Sequence, residues 1–307
     1  MIKISLIILQ LLFFIGVAPL LSGLITKLKN NLRMRRGMSI LQPYYNLIKL
    51  FAKGQVVSGT TSWIFKITPV VVISSALAAA LLVPVFIFST PLHFTGDFLA
   101  LIFIFSLGRF FLALAALDTG SAFGGMGSSR EMFISSLVEP ALCLTVFSIF
   151  LQFGSTDISV FKSSTPISVS SIIGAIALFL VAIAETSRIP VDNQETHLEL
   201  TMIHEAMVLE YSGGALALIE LAAHIKQMIW FLLIAQIIFP VQAVDLSSPG
   251  GLFFWTGWQI ARVLLIAGAV SLVEVSVAKM RLFRAIDFLG FVFVLGIIAS
   301  ICAILRV

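Results

Sequence analysis

Eight apolar runs, each near the roughly 20 residues a helix needs to cross a bilayer, leave this chain little choice of fold. They lie near residues 2–22, 67–89, 98–117, 132–153, 169–187, 214–239, 252–273 and 286–304. In lipid only segments that satisfy their own backbone hydrogen bonds persist, so each run is expected to be a helix. The expected fold is all-α and polytopic, a single membrane domain over residues 1–307. Composition agrees, with 59% hydrophobic and 11% charged residues and a mean hydropathy of +1.10. The opening run is too long for the core of a signal peptide and lacks a convincing cleavage pattern, so it counts as a span. Cys143 and Cys302 lie in apolar runs far apart. They read as small buried hydrophobes rather than cluster ligands or a disulfide framework.

Basic residues set the expected orientation. The loop after the first span carries Lys27, Lys29, Arg33, Arg35, Arg36, Lys49, Lys53 and Lys66 and no acid. Arg130, Arg188, Lys279, Arg281 and Arg284 fall on the same side, against Lys3, Lys162 and Arg306 on the other. Loops 23–66, 118–131, 188–213 and 274–285 are therefore expected in the cytoplasm, with both termini outside the inner membrane. Within the first loop, LQPYYNLIKLFAKG predicts a short amphipathic helix. Pro43 suits a first helical turn, and Leu41, Tyr44, Ile48 and Phe51 recur at helical spacing. The helix is too short to span; it either anchors to the lipid surface or roofs a cavity at the cytoplasmic edge.

One stretch breaks the apolar pattern. Between Glu185 and Gly213 lie Glu185, Asp192, Glu195, Glu199, Glu205 and Glu210, with Arg188, His197 and His204. Pro190 stops the preceding helix from continuing unchanged. If the next part is helical, Asp192, Glu195 and Glu199 share a face, where like charges repel and favour proton uptake. The apolar residues threaded through it, from Leu198 to Leu209, argue against a merely solvated loop. A metal site does not fit, because His197 and His204 are seven residues apart and no carboxylate–histidine set completes one.

Charges inside spans are costly and mark function by default. Arg109 lies in the third span, and Arg130, Glu131 and Glu139 open the fourth. Glu139 is expected to face the bundle interior, either as a functional carboxylate or as a partner for Arg109 or Arg130. In the sixth span Glu220 and His224 are one turn apart and can pair or pass a proton, with Lys226 nearby. The Gly-rich run 120–127 fits neither a phosphate loop nor a dinucleotide fingerprint and predicts a tight turn. No nucleophile motif, metal pattern, nucleotide motif or nucleic-acid-binding signature appears. A proton-handling subunit and a secondary transporter both remain open at this point, although no internal repeat of the kind transporters carry is visible.

Ala184-Glu185-Thr186-Ser187-Arg188-Ile189-Pro190-Val191-Asp192 is similar to AETNRxPFD, a motif of respiratory complex I. Glu210-Tyr211-Ser212-Gly213 matches the EYSG of the same family, and Arg130 and Glu139 stand nine apart as its arginine and glutamate do. Arg35–Gly37 and Leu41–Pro43 also fit its first loop. The chain thus resembles, over nearly its whole length, the membrane-anchor subunit shared by respiratory complex I (the NADH-quinone oxidoreductase) and the group 4 NiFe hydrogenases. THLELTMIHEAMVLEYSG, with a longer spacing from Glu199 to Glu210, is similar to the hydrogenase-4 and formate hydrogenlyase branch.

That resemblance implies a non-catalytic subunit that anchors a soluble electron-transfer arm and couples its redox chemistry to proton translocation. It implies hydrogenase-type large and small subunits, an iron–sulfur subunit and antiporter-like membrane subunits as partners. Iron–sulfur clusters and a NiFe centre would sit in those partners, with no metal or cofactor bound by this chain alone. Glu139, Glu185, Asp192, Glu195, Glu199, Glu205 and Glu210 would form the coupling segment, with Arg109, Arg130 and Arg188 as counter-ions. Glu220, His224 and Lys226 would give a second proton path. Arg35, Arg36, Tyr44, Tyr45, Arg281 and Arg284 would line the cavity or dock the arm. The alternative is a quinone site in a complex I-like oxidoreductase, with the helix around Tyr44 and the acidic loop as its walls.

Overall fold

The computed structural model describes residues 2–83, 98–154, 168–193, 202–239 and 249–305. Glu195, His197 and Glu199 lie outside the described residues. Among those described, ten α-helices follow in order: α1 Ile2–Leu32, α2 Gln42–Phe51, α3 Trp63–Leu82, α4 Phe98–Asp118 and α5 Ala122–Phe153. Then come α6 Val169–Glu185, α7 His204–Val208, α8 Gly213–Ile238, α9 Pro249–Ser276 and α10 Leu282–Leu305. Seven of them are long and apolar enough to cross a membrane, and α6 is a shorter apolar helix of 17 residues. The protein is a multi-pass helical membrane protein.

α8 is the central post. It packs on α1, α2, α3, α6 and α9, and nearly every residue from Ile225 to Ile237 is buried. Such all-round apolarity is what a helix surrounded by other helices requires. Trp230 is fully buried near its middle, against Phe98 and Phe105 of α4. α10 closes the other side on α5 and α6.

Several boundaries differ from expectation, each for a local reason. α1 does not stop near residue 22 but runs on to Leu32, about 46 Å in all at 1.5 Å per residue. Its extra turns carry Lys29 to a buried acid on α9. The Gly-rich run is not a loop: only Gly120, at φ +66°, makes the turn, and α5 begins at Ala122 with Ser121 as its N-cap. The glycine at 127 permits close packing, since a Cβ there would lie 2.9 Å from Ala206 of α7. The linker between α9 and α10 shrinks to residues 277–281. Cys143 is exposed on α5 rather than buried, which costs nothing where the surroundings are hydrocarbon.

One end of the bundle gathers the polar connections, namely residues 33–62, 119–121, 186–193, 202–212 and 277–281. The EYSG motif stitches them together. Tyr211 stacks on Phe65, with ring centroids 4.0 Å apart and 3° between planes, and donates to the Phe65 carbonyl at 3.0 Å. Its burial raises the phenol above the ordinary value. Ser212 Oγ accepts from the Val56 N–H and donates to the Val56 carbonyl. Gly213 sits at φ +57°, and a Cβ there would come 2.7 Å from the Gly54 carbonyl oxygen. Only glycine meets both demands.

Candidate functional site

The AETSR motif ends α6 in a way that aims its charges. The Arg188 N–H donates to the Ile183 carbonyl and the Ser187 N–H to that of Ala184, the pairing of a Schellman cap. Ser187 takes the left-handed position at φ +50°, normally glycine's or asparagine's. The chain then doubles back, leaving Glu185 on the last helical turn and Arg188 beside it, at the wall of a cavity of about 300 Å³. The peptide bond before Pro190 is cis.

A row of ion pairs passes through this wall. Glu139 of α5 lies 3.7 Å from Arg109 of α4, whose other terminal nitrogen is 2.6 Å from Glu185. The second Glu185 oxygen is 2.7 Å from Lys226 of α8. Ser106 donates to Glu139 at 2.8 Å. Glu185 is almost fully buried at 1% exposure, whereas the Glu139 side chain is 43% exposed near the middle of α5. Losing one partner of a buried pair costs roughly 3–5 kcal/mol, since the survivor is left uncompensated.

A second set of pairs fastens the segment after α6. Arg188 donates to Glu274 of α9 at 2.9 Å and to Gln227 of α8 at 2.8 Å. Glu274 also meets Lys29 at 3.1 Å. Asp192 pairs with Lys279 at 2.8 Å and accepts from the backbone N–H groups of Ile203 and His204, so its carboxylate caps α7. Asp192 therefore does not lie on a helical face. Arg188, expected to balance the acidic segment, is held instead by Glu274, which the sequence placed only at the start of the loop 274–285.

Glu131, His204, Glu205, Glu220 and His224 line the same cavity as Glu185 and Lys226. Glu205 of α7 and Glu220 of α8 thus face one cavity from two helices. On α8 the ion pair belongs to Lys226 with Glu185, tying the expected second path into the first. Arg130 donates to the Met202 carbonyl beside α7. Glu210 is exposed at the polar end, as are Arg35, Arg36, Tyr45, Arg281 and Arg284. α2 presents Gln42, Pro43 and Asn46 to the cavity, and Ile48 and Phe51 outward. Tyr44, expected at the cavity, turns to the Gly16 carbonyl of α1, and burial raises its phenol.

The protein-family model for NADH dehydrogenase matches residues 4–305. The chain belongs to the NADH dehydrogenase family. Among its relatives, formate hydrogenlyase subunit 4 of Escherichia coli (strain K12) is 32% identical over 280 residues, 89% of this chain and 90% of the relative. Hydrogenase-4 component C of the same organism is 32% identical over 288 residues, 92% and 90%. NADH-quinone oxidoreductase subunit 8 of Rhodothermus marinus is 25% identical over 211 residues, 65% and 60%. Among solved structures, a chain of the membrane-bound sulfane sulfur reductase, an archaeal respiratory membrane complex, superposes with a TM-score of 0.82. It covers 99% of this chain and all of that one, at 19% identity, and shows the shared fold.

Proposed function

We propose that this chain is the membrane subunit of a hydrogenase-4 or formate hydrogenlyase-type complex, seating soluble electron-transfer subunits at its polar end. Redox events there are coupled to ion movement through the cavity and the Glu185 row. The observation that carries this reading is the row itself. It leads from the cavity, through two buried pairs, to a carboxylate half exposed in mid-helix. A carboxylate at bilayer depth is costly against lipid, so Glu139 suits an exit toward a neighbouring membrane subunit of the antiporter-like kind. The excess of exposed basic residues at the polar end supports a cytoplasmic placement in the inner membrane, with both termini outside. Iron–sulfur clusters and a NiFe centre belong, on this reading, to the partners.

A second reading is a quinone site in a complex I-like oxidoreductase. The cavity has the size of small-molecule pockets, and the Gln227 amide nitrogen, buried at its wall, has no hydrogen-bond partner among the described residues. The test is to purify the intact complex, identify its metals and bound quinone, and count ions moved per electron pair in proteoliposomes. Glu185→Gln should assemble and transfer electrons while moving far fewer ions. Unchanged ion movement would remove the coupling role, and bound quinone without nickel would favour the second reading.

A further inference from the structure

Glu274 stands apart from the row, at the end of α9. Its carboxylate is 2% exposed and is shared by two cations from different elements, Lys29 of α1 and Arg188 of the segment after α6. Four residues past Arg188, Asp192 is tied to Lys279, five residues past Glu274. The stretch from Arg188 to Asp192 is thus strapped at one end to α9 and at the other to the linker that follows it.

The charges of these clusters are not interchangeable. Lys29, Arg188 and Glu274 together carry one net positive charge, while Glu139, Arg109, Glu185 and Lys226 sum to zero. Arg188 lines the same cavity as Glu185, Glu205 and Glu220. A guanidinium in a poorly hydrated site seeks the nearest carboxylate, because an unpaired buried charge is expensive. With Glu274 in place, that carboxylate is on α9. Without it, the candidates are the cavity acids, Glu185 among them.

We infer that Glu274 is a positioning residue for the cavity: by holding Arg188 and Lys29 against α9, it reserves Glu185 for Arg109 and Lys226. It touches no reacting group and acts only through the cations it retains. The inference rests on the coupling reading above. A simple staple would also explain the contacts, but losing a staple lowers stability alone, whereas losing a residue that allocates cations lowers coupling in a complex that still assembles.

The whole complex, assayed in proteoliposomes, distinguishes the two. Glu274→Gln should lower the ions moved per electron pair about tenfold, within the usual range of coupling between sites, with electron transfer retained. Glu274→Asp should keep the ratio close to the parent's. The double change Lys29→Met with Glu274→Gln keeps the cluster's net charge and should recover most of the ratio. If Glu274→Gln moves ions normally while Glu185→Gln does not, the inference falls and the coupling reading stands. If both behave normally, the coupling reading itself falls. Should Glu274→Gln fail to assemble, the double variant decides. Restored assembly with restored coupling supports the inference; continued failure, or assembly without coupling, reduces Glu274 to a staple.

Discussion

The two ion-pair systems of this protein use similar residues to opposite ends. In the Glu185 row the cations Arg109 and Lys226 rise from the bodies of α4 and α8, and the row finishes at the half-exposed Glu139. In the α9 straps the cations Lys29, Arg188 and Lys279 come from a helix end and two linkers, and both acids are shut away at 2% side-chain exposure. The row reaches across the bundle and opens outward, whereas the straps close on themselves. Burial and pairing are common to both systems; the exposure of the final group is what sets the row apart.

The sharpest way to break this contrast is Asp192→Ala. It removes a carboxylate that pairs with Lys279 and caps α7, and should cost roughly 3–5 kcal/mol, read as lost assembly or a lowered Tm in detergent. Full stability would mean that the strap holds nothing. Glu139→Gln should do the reverse, leaving Tm nearly unchanged while ion movement per electron pair drops about tenfold; a normal ratio would end the row's role as a path. Ser212→Ala breaks both bonds to Val56 and should cost roughly 1–3 kcal/mol, with faster proteolysis near residues 52–58 as its signature. Smallest is Ser187→Gly, which relieves a left-handed serine and should raise stability by roughly 1 kcal/mol. A fall in Tm would show that the serine side chain matters more than its backbone.

The spans were legible because hydrocarbon imposes a length and a polarity: seven of the eight runs fall in helices long enough to cross and the remaining one in the shorter α6, although α1 ends and α5 begins about ten residues from the expected bounds. The charged segment was legible too, since its acids interrupt an apolar chain. What escaped was pairing across elements. Glu274 and Lys29 are nearly 250 residues apart in sequence, and no local spacing links an acid at the end of one span to a lysine just beyond another. Lys226 was visible beside Glu220 and His224 on its own helix, yet its partner came from α6. The glycine run misled because glycine marks turns and close helix contacts alike; Gly120 does the first and Gly127 the second.

The two hydrogen bonds between Ser212 and Val56, with Gly213 packed on Gly54, join the exposed stretch after α2 to the start of α8. Anything that pushes on residues 53–56 from outside is therefore pushing, through three residues, on the short helix that carries His204 and Glu205. The cavity has a handle on the protein's surface.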